Sequence, residues 1–360
     1  MSVFKQNILD MSEYKPPLEG RSRGYLLLDF NERTTPPHKR VRDAVIKYGR
    51  EGAHQKYPEY GDTENVIANY AGVRNGQVIL TNGSDQAIDI IFRGTVHPGD
   101  KVIIPSPSFA MFYQSAGIQG ADIKRPRYRG EELSFPLEEV LDTIDRDTRL
   151  VVVCNPNSPT GTVIQPEDVE KVIKRAKEFN SATLVDEAYH EFNRSITVKR
   201  FIDAYDNLFI TRTFSKALGM AALRAGYVLS QKDNILQLRK IRGPYDMNME
   251  AVHAVNALVY PEVVADIQKY VSRVMNVSKP RVERFLREHG VGAFPSGANF
   301  VLIKPTFVAE EFYEFLKSKS ILVRPRDDPE NTLRITIGTR RDTDVFLAAF
   351  REYLETLAPI

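Results

Sequence analysis

The chain has little cysteine, no long apolar run and almost no excess of either charge. Its 360 residues contain one cysteine, Cys154, which excludes an internal disulfide and the framework of a small secreted protein. No apolar stretch near the start or elsewhere has the length of a signal peptide core or a membrane span. Lys plus Arg number 49 against 47 Asp plus Glu, a balance that argues against a nucleic-acid or membrane-surface binder. We therefore expect a cytoplasmic enzyme.

Short β-branched runs alternate with helical patterns, which predicts βα units around a mostly parallel sheet, an α/β fold. The predicted strands that bear on the site are 78–81, 102–105, 150–154, 183–186, 208–213 and 227–229. A helix is predicted after Gln165, and a long helical stretch over 249–288 is expected to break near Pro261 and Pro280. The length favours an N-terminal segment (1–40) that packs with the small domain, a large domain (41–260) and a smaller α+β domain (261–360).

One segment, TRTFSKALGMAALRAGY at 211–227, places Lys216 at a strand end just before small residues. A lysine in such a pocket can lose its proton and form a Schiff base with a carbonyl. Ser215 and Arg224 nearby suit the phosphate of a cofactor. Taken alone, a lysine after a serine is equally compatible with an ordinary solvated side chain.

A second segment, LVDEAY at 184–189, ends a buried strand on Asp186, where α/β sheets place ligand groups. This carboxylate can keep a pyridine nitrogen protonated, and Tyr189 could reach the ring's phenolic oxygen. The alternatives are a helix cap and a packed aromatic residue. A metal site is disfavoured because the nearby acids and His190 lie on one element.

Two glycine- or proline-rich turns follow other predicted strands. TNGSDQAI at 81–88 can form an anion cup at a helix start, although a simple cap by Ser84 or Asp85 would look similar. CNPNSPTG at 154–161 fixes a rigid turn from which side-chain amides could face a ligand.

In this order, these segments resemble the fold-type I pyridoxal-phosphate (PLP) aminotransferases, and most closely the histidinol-phosphate aminotransferases. The resemblance extends over most of the chain and includes LDFNE, KYPEY, PSFAMF, NPNSPTG, VDEAY, GPYDMN, GANF and LRITIGT. It implies a PLP enzyme in which a large domain with a mostly parallel sheet carries the cofactor. It also implies a homodimer with shared active sites, an amino donor and a 2-oxo acid acceptor.

The resemblance implies a role for each matching residue. Lys216 would hold the cofactor and move the proton at Cα, Asp186 would pair with the pyridine nitrogen, and Tyr189 would bind the phenolic oxygen. The remaining cofactor-binding residues are implied to be Ser84, Asp85, Phe109, Asn157, Ser158, Ser215, Arg224 and, from the other subunit, Tyr57. The implied substrate-binding residues are Arg334, Arg324, Tyr14 and Asn31.

Some positions depart from the pattern of relatives. Ser158 stands where an asparagine is usual, Phe109 where a tyrosine is usual, and Gln86 and Asp246 replace a usual acid and a usual asparagine. Two alternatives to a transferase remain at this point: a PLP-dependent decarboxylase of a phosphorylated amino acid, which shares these motifs, and a non-enzymatic regulator. The retained Lys216, Asp186 and Arg334 argue against the regulator.

Overall fold

The computed structural model describes residues 2–15, 21 and 24–357. Its helices are α1 (Gln6–Leu9), α2 (Lys39–Glu51), α3 (Thr63–Ala71), α4 (Gly83–Thr95), α5 (Ala110–Gln119), α6 (Leu137–Thr143), α7 (Pro166–Glu178), α8 (Lys232–Ile241), α9 (Met249–Asn256), α10 (Pro261–Arg273), α11 (Lys279–Glu288), α12 (Ala309–Ser318) and α13 (Arg340–Leu357). Its strands are β1 (Leu26–Leu27), β2 (Val78–Thr81), β3 (Lys101–Ile103), β4 (Asp122–Lys124), β5 (Thr148–Cys154), β6 (Ala182–Asp186), β7 (Leu208–Thr213), β8 (Gly226–Leu229), β9 (Gly292–Ala293), β10 (Phe300–Lys304), β11 (Ile321–Leu322), β12 (Arg324–Arg326) and β13 (Thr332–Thr336).

The large sheet has seven strands in the order β2-β8-β7-β6-β5-β3-β4. Strand β8 runs antiparallel to both of its neighbours, and the other pairs are parallel. The α/β class with a mostly parallel central sheet is therefore confirmed. Because β8 reverses the direction, β2 runs the same way as β7, and its last residue, Thr81, lies at the same sheet edge as the ends of β5, β6 and β7.

Both faces of this sheet are covered. Val151, Val153 and Val185 face the larger core cluster, whereas Leu150 and Val152 face a second cluster that includes residues of α4, α5 and α8. Successive residues of a strand point to opposite faces, so a strand covered on both sides must be apolar throughout. This is why the run LVVVC reads as continuously hydrophobic.

The C-terminal part contains a four-stranded sheet in the order β12-β13-β10-β9. The N-terminal segment joins this part through β1, which pairs in parallel with β11. The domain boundaries near residues 40 and 260 stay a prediction. In the described part of the chain, no helix has both the length and the apolar character needed to cross a membrane.

The helices show one departure from the expected breaks. Pro261 is at the start of α10, as a residue without a backbone N–H allows. Pro280 does not interrupt the helical stretch as we expected, because the π-helical turn Val274–Ser278 joins α10 directly to α11 and places this proline in the first turn of α11. Helix α4 begins at Gly83, so Ser84 and Asp85 lie in its first turn and are not its cap.

Candidate active site

The candidate site lies at the carboxyl edge of the large sheet. The register pairs Cys154 of β5 with Asp186 of β6, and Asp186 with Thr211 of β7. Thr81 and Thr213 both pair with Gly226 of β8, which brings the turn after β2 beside the turn after β7. Parallel strands end at one edge, so groups distant in sequence meet there.

Asp186 is a buried carboxylate, 3% exposed. It accepts a hydrogen bond of 2.7 Å from the Thr211 hydroxyl and a 3.8 Å contact from the Cys154 thiol. Burial raises the pKa of Asp186 to about 7, and the nearby Asp85 and Glu187 carboxylates act in the same direction. A cationic group of a ligand beside this carboxylate would stabilise its charged form and lower its pKa.

Lys216 follows β7 and is half-buried. Its Nζ atom donates a hydrogen bond of 2.7 Å to the backbone carbonyl of Phe30 and lies 5.8 Å from the centre of the Tyr189 ring. The Lys216 amine therefore contacts the N-terminal segment and lies beside the Tyr189 ring, at the sheet edge where β6 ends on Asp186.

Tyr189 and Asn31 form a buried pair beside this amine. The Asn31 amide donates to the Tyr189 hydroxyl at 2.9 Å, and its oxygen accepts from the Thr336 hydroxyl at 3.2 Å. Asn31 adopts a positive φ of 57°, a conformation that asparagine tolerates better than most residues. Both ends of its side chain are engaged by protein groups, so in this structure Asn31 orients Tyr189; contact with substrate stays a prediction.

The predicted phosphate-binding residues come together at the start of α4. Arg224 forms an ion pair of 2.8 Å with Asp85, and its Nη2 atom lies 2.7 Å from where a Cβ on Gly83 would stand. The Ser215 hydroxyl accepts from Thr213 at 2.9 Å. Gly83, with φ of 72°, leaves the first turn of α4 open to a guanidinium and to an anion.

The backbone of β8 packs closely against the first turn of α4, where the predicted phosphate-binding residues lie. A Cβ on Gly226 would lie 2.6 Å from the Ser84 nitrogen and 2.5 Å from the Gly83 carbonyl carbon. Only glycine fits, because any side chain would push the first turn of α4 away from the sheet.

Ser158 and Asn157 occupy different surroundings. All polar atoms of the Asn157 side chain serve the loop, since its amide donates to the Pro107 carbonyl and to Thr160, both at 2.9 Å, and its oxygen accepts from Ser108. The Ser158 hydroxyl instead accepts a 3.2 Å hydrogen bond from Arg334. Ser158 thus contacts Arg334, the arginine that the sequence predicts to bind the substrate.

Phe109 precedes α5 and packs edge-on against Phe112, with ring centres 5.7 Å apart. Its neighbour Pro107 lines a cavity of about 710 Å³ whose wall also includes Tyr128 and Arg326. The ring-stacking role of Phe109 stays a prediction.

Arg334 is buried, 7% exposed, on β13. It donates to Ser158 and, at 2.8 Å, to the Asp29 carbonyl, while its Nε atom has no hydrogen-bond partner in the described residues. Burial lowers the pKa of Arg334 to about 10. Arg324 is its direct cross-strand neighbour on β12. A buried guanidinium that finds no carboxylate among the described residues is suited to an anionic ligand.

Tyr57 and Tyr14 lie further out. Tyr57 is 80% exposed and stacks on Tyr245 with ring centres 4.5 Å apart. Tyr14 is 41% exposed and lies within electrostatic reach of Arg334. An exposed tyrosine at 57 is compatible with a contact to a second subunit, which stays a prediction.

The acids that suggested a metal belong to a buried ion network. Glu187 pairs with Arg212 at 2.7 Å, and Glu191 lies 3.2 Å from His190 and accepts from the Tyr70 hydroxyl. Among residues 2–15, 21 and 24–357, no group of three or more acidic, histidine or cysteine side chains is placed to hold a metal ion. Arg212 was not predicted from the sequence, although a charge inside an apolar strand must have a partner.

Two of the positions that depart from the expected pattern, 86 and 246, contact each other. The Gln86 amide donates to the Asp246 carboxylate at 2.5 Å, and Asn82 donates to the Asp246 carbonyl at 3.1 Å. The Gln86 oxygen in turn accepts from the Asn82 backbone at 2.7 Å. Positions 86 and 246, which both depart from the expected pattern, are thus joined in one amide–carboxylate pair.

The site fits PLP. Asp186 is a buried carboxylate without a cationic partner in the described residues, as a protonated pyridine nitrogen requires. The open turn at Gly83 with Arg224 offers donors for a phosphate, and Lys216 supplies the amine. When bound, PLP supplies an electron-withdrawing ring that stabilises negative charge at the substrate's Cα.

This fold, with a lysine, a buried aspartate and an anion cup at one sheet edge, defines a fold-type I PLP enzyme. The chain belongs to the aminotransferase class I and II family, whose sequence profile matches residues 23–350. It is therefore a PLP-dependent aminotransferase, and the resemblance noted in the sequence is confirmed.

Individual comparisons agree with this assignment. A histidinol-phosphate aminotransferase of Geobacillus sp. is 33% identical over 98% of both chains. The crystal structure of histidinol-phosphate aminotransferase from Sinorhizobium meliloti in complex with pyridoxal-5'-phosphate superposes with a TM-score of 0.86 and 25% identity over 99% of both chains. L-threonine-O-3-phosphate decarboxylase from Porphyromonas gingivalis superposes with a TM-score of 0.77 over 92% of this chain and 99% of its own, but at 21% identity it shows the shared fold alone.

Proposed function

We propose that this aminotransferase moves the amino group of a phosphorylated amine, histidinol phosphate, to 2-oxoglutarate. The observation that carries the proposal is Arg334, a buried guanidinium whose hydrogen bonds within the described residues go to neutral oxygens of Ser158 and Asp29. Relatives that match nearly the whole chain bear the name of that substrate. The site thus needs an anion from its substrate, and a phosphate supplies one.

Asp186 would hold the pyridine nitrogen of PLP in its protonated state. Its carboxylate is fixed by Thr211 and is costly to ionise in the absence of a cation. A charge-assisted hydrogen bond from the ring nitrogen would offset that cost. Tyr189, oriented by Asn31, would donate to the ring's phenolic oxygen.

Lys216 would take the proton from the substrate's Cα and return it to the cofactor side. Its amine is already oriented by the Phe30 carbonyl above the sheet edge. A general base must be within hydrogen-bond reach of the proton that it moves, and Lys216 follows the strand next to Asp186 and lies beside the Tyr189 ring.

Ser84, Asp85, Ser215 and Arg224 would surround the cofactor phosphate. The Arg224 guanidinium is held at the mouth of the α4 turn by Asp85, and one phosphate would add acceptors for its free N–H groups. Phe109 would cover one face of the ring, and Ser158 would connect the ring to Arg334.

We further propose a cytoplasmic homodimer in which Tyr57 reaches the cofactor phosphate of the other subunit. Tyr57 is 80% exposed, so its hydroxyl is available to a neighbouring chain, and its stacking on Tyr245 holds the ring in place. The balanced net charge of +2 is compatible with a small-molecule enzyme.

The test is a single turnover of the PLP-loaded enzyme with histidinol phosphate and no 2-oxo acid. We expect one equivalent of the oxo product per site, and further product only after 2-oxoglutarate is added, as ping-pong transfer requires. No conversion of histidinol phosphate would refute this donor. Release of carbon dioxide from phosphothreonine without any 2-oxo acid would instead identify a decarboxylase.

A further inference from the structure

The N-terminal segment contacts Lys216 and also the backbone that follows it. Residues 216–219 form a turn after β7, here named the lysine turn, which a 3.1 Å hydrogen bond from the Gly219 N–H to the Lys216 carbonyl closes. Phe30 accepts a hydrogen bond of 2.7 Å from the Lys216 Nζ atom. Arg33 donates one of 3.2 Å from its Nη1 atom to the Ala217 carbonyl. Two residues of one short segment thus hold both ends of the lysine.

The Arg33 side chain is buried, 4% exposed, and each nitrogen of its guanidinium has a partner. Nη1 donates to Ala217, Nη2 forms an ion pair of 2.7 Å with Asp266 of α10, and Nε donates to the Thr35 hydroxyl at 3.0 Å. The guanidinium also lies over the Tyr270 ring, 4.6 Å from its centre. A planar fork with three partners has a fixed orientation, and an ammonium group cannot reproduce its geometry.

The Ala217 carbonyl depends on this arginine. Ala217 is fully buried, so bulk water cannot replace a lost partner. Among the residues that the structure describes, Arg33 supplies the hydrogen bond that this carbonyl accepts. A buried carbonyl without a partner is costly, so loss of the guanidinium would favour another conformation of the lysine turn. Gly219, with φ of 75°, leaves space for the contact, because a Cβ there would lie 3.0 Å from the Arg33 Cδ atom.

Arg33 also connects the lysine turn to α10. Its ion pair is with Asp266, and the backbone N–H of the next residue, Thr34, donates to the Tyr270 hydroxyl at 3.2 Å. Asp266 and Tyr270 are four residues apart and therefore share one face of the helix. Tyr270 and Ile267 are buried, which fixes α10 against the core. The helix thus holds Arg33 in the orientation that reaches the lysine turn.

We propose that Arg33 is a positioning residue for Lys216, and that it fixes the backbone after the lysine so that the amine can move the proton at the substrate's Cα. This inference rests on the proposed role of Lys216 and deepens it. The lysine side chain has four carbons and many rotamers, so the position of its backbone limits where the amine can lie. A displacement of about 1 Å between reacting groups can lower a rate about 100-fold.

The experiment compares the wild type with Arg33→Met, Arg33→Lys and a control, Arg40→Met. Arg40 is exposed, pairs with Glu262 one turn before Asp266 on α10, and lies 4.1 Å from the centre of the Tyr260 ring. Within the described residues it makes no hydrogen bond to the lysine turn. Arg33→Lys keeps a positive charge for Asp266 but lacks the fork that also reaches the Ala217 carbonyl.

Three quantities are measured. Hydrogen exchange of the lysine turn is followed by mass spectrometry in the cofactor-free proteins. The rate at which PLP attaches to Lys216 is measured by trapping with borohydride. Steady-state kinetics of the PLP-loaded proteins use histidinol phosphate and 2-oxoglutarate, and urea unfolding reports the stability of each variant.

For Arg33→Met we expect exchange of the lysine turn to become about 10-fold faster and attachment of PLP about 10-fold slower. We expect kcat to fall on the order of 10- to 100-fold, with KM for the donor within about twofold. Arg33→Lys should recover most of the stability through Asp266 but little of kcat, because the bond to Ala217 is still missing. Arg40→Met should match the wild type in exchange, attachment and kcat.

An unchanged kcat in Arg33→Met would overturn the inference, even if the lysine turn exchanged faster. A kcat that recovers fully in Arg33→Lys would also overturn it, because an ion pair with Asp266 would then be sufficient. If the wild type does not convert histidinol phosphate, but exchange and PLP attachment depend on Arg33, the proposed donor is wrong and the positioning role stands.

Discussion

Replacing Asp186 with asparagine should make the cofactor-free protein more stable at neutral pH and no more stable in acid. The carboxylate has a pKa raised to about 7 in the fold, against 3.8 when exposed. Well below pH 3.8 it is protonated in both states. Between about pH 4 and 7 the unfolded chain releases the proton while the folded chain retains it, so stability falls as the pH rises, and above about pH 7 the loss is complete.

The magnitude follows from the shift of the pKa. About three pH units, at about 1.4 kcal/mol each, correspond to as much as about 4 kcal/mol. The substituted asparagine is not charged but can keep the hydrogen bond from Thr211, which now reaches Asp186 at 2.7 Å. Asp186→Asn should therefore match the wild type near pH 4 and exceed its free energy of unfolding by up to about 4 kcal/mol at pH 8.

The assay is urea unfolding of both cofactor-free proteins between pH 4 and 8. Asp142→Asn, at an exposed residue of α6, is a control that should show no such trend. After loading with PLP the order should reverse, because the protonated ring nitrogen stabilises the carboxylate and not the amide. A stability difference that stays constant between pH 4 and 8, or no reversal with cofactor, would refute this reasoning.

Three further predictions concern the ion network, the Gln86–Asp246 pair and the dimer. Arg212→Met should lower the free energy of unfolding by about 3–5 kcal/mol, measured in urea, because it leaves Glu187 charged and buried. Gln86→Glu should destabilise the protein by about 0.5–3 kcal/mol through repulsion of Asp246, and adding Asp246→Asn should recover most of this loss in thermal unfolding. Subunits with Tyr57→Ala, mixed and refolded with inactive Lys216→Ala subunits, should regain about one quarter of wild-type activity if sites are shared.

Each of these three predictions can be contradicted by a defined result. Arg200→Met removes an exposed pair with Glu167 and should leave the free energy of unfolding nearly unchanged. An equally small effect of Arg212→Met would contradict the burial argument. Independent, additive effects at positions 86 and 246 would mean that the two residues are not coupled. A mixture as inactive as its parents would contradict the shared site.

Much of the site could be predicted because it depends on local rules. Asp186 ends a buried parallel strand and Lys216 lies in the turn after the next one, and parallel strands bring their carboxyl ends to one edge. Gly83 after β2 predicts a helix start that an anion can approach, because glycine has no side chain and tolerates a positive φ. Alternation of β-branched runs with helices is sufficient to predict the central sheet.

The remaining features depend on contacts between residues far apart in the chain. Gln86 and Asp246 look like two separate departures in the sequence, and only the structure shows that they form one amide–carboxylate pair. Arg33 resembles a surface arginine in the sequence, and only the fold brings it against the lysine turn. The π-helical turn that accommodates Pro280 has no distinct sequence pattern. Asn31 could be selected near the substrate, but its bond to Tyr189 could not.

The central claim is that Lys216 holds the cofactor at an edge of the sheet where Asp186 faces the ring. The most direct test is reduction of the PLP-loaded enzyme with borohydride, followed by peptide mapping by mass spectrometry. We predict one cofactor per chain, covalently attached to the peptide that contains Lys216, and no attachment in Lys216→Ala. Attachment to another lysine, or none in the wild type, would contradict the account.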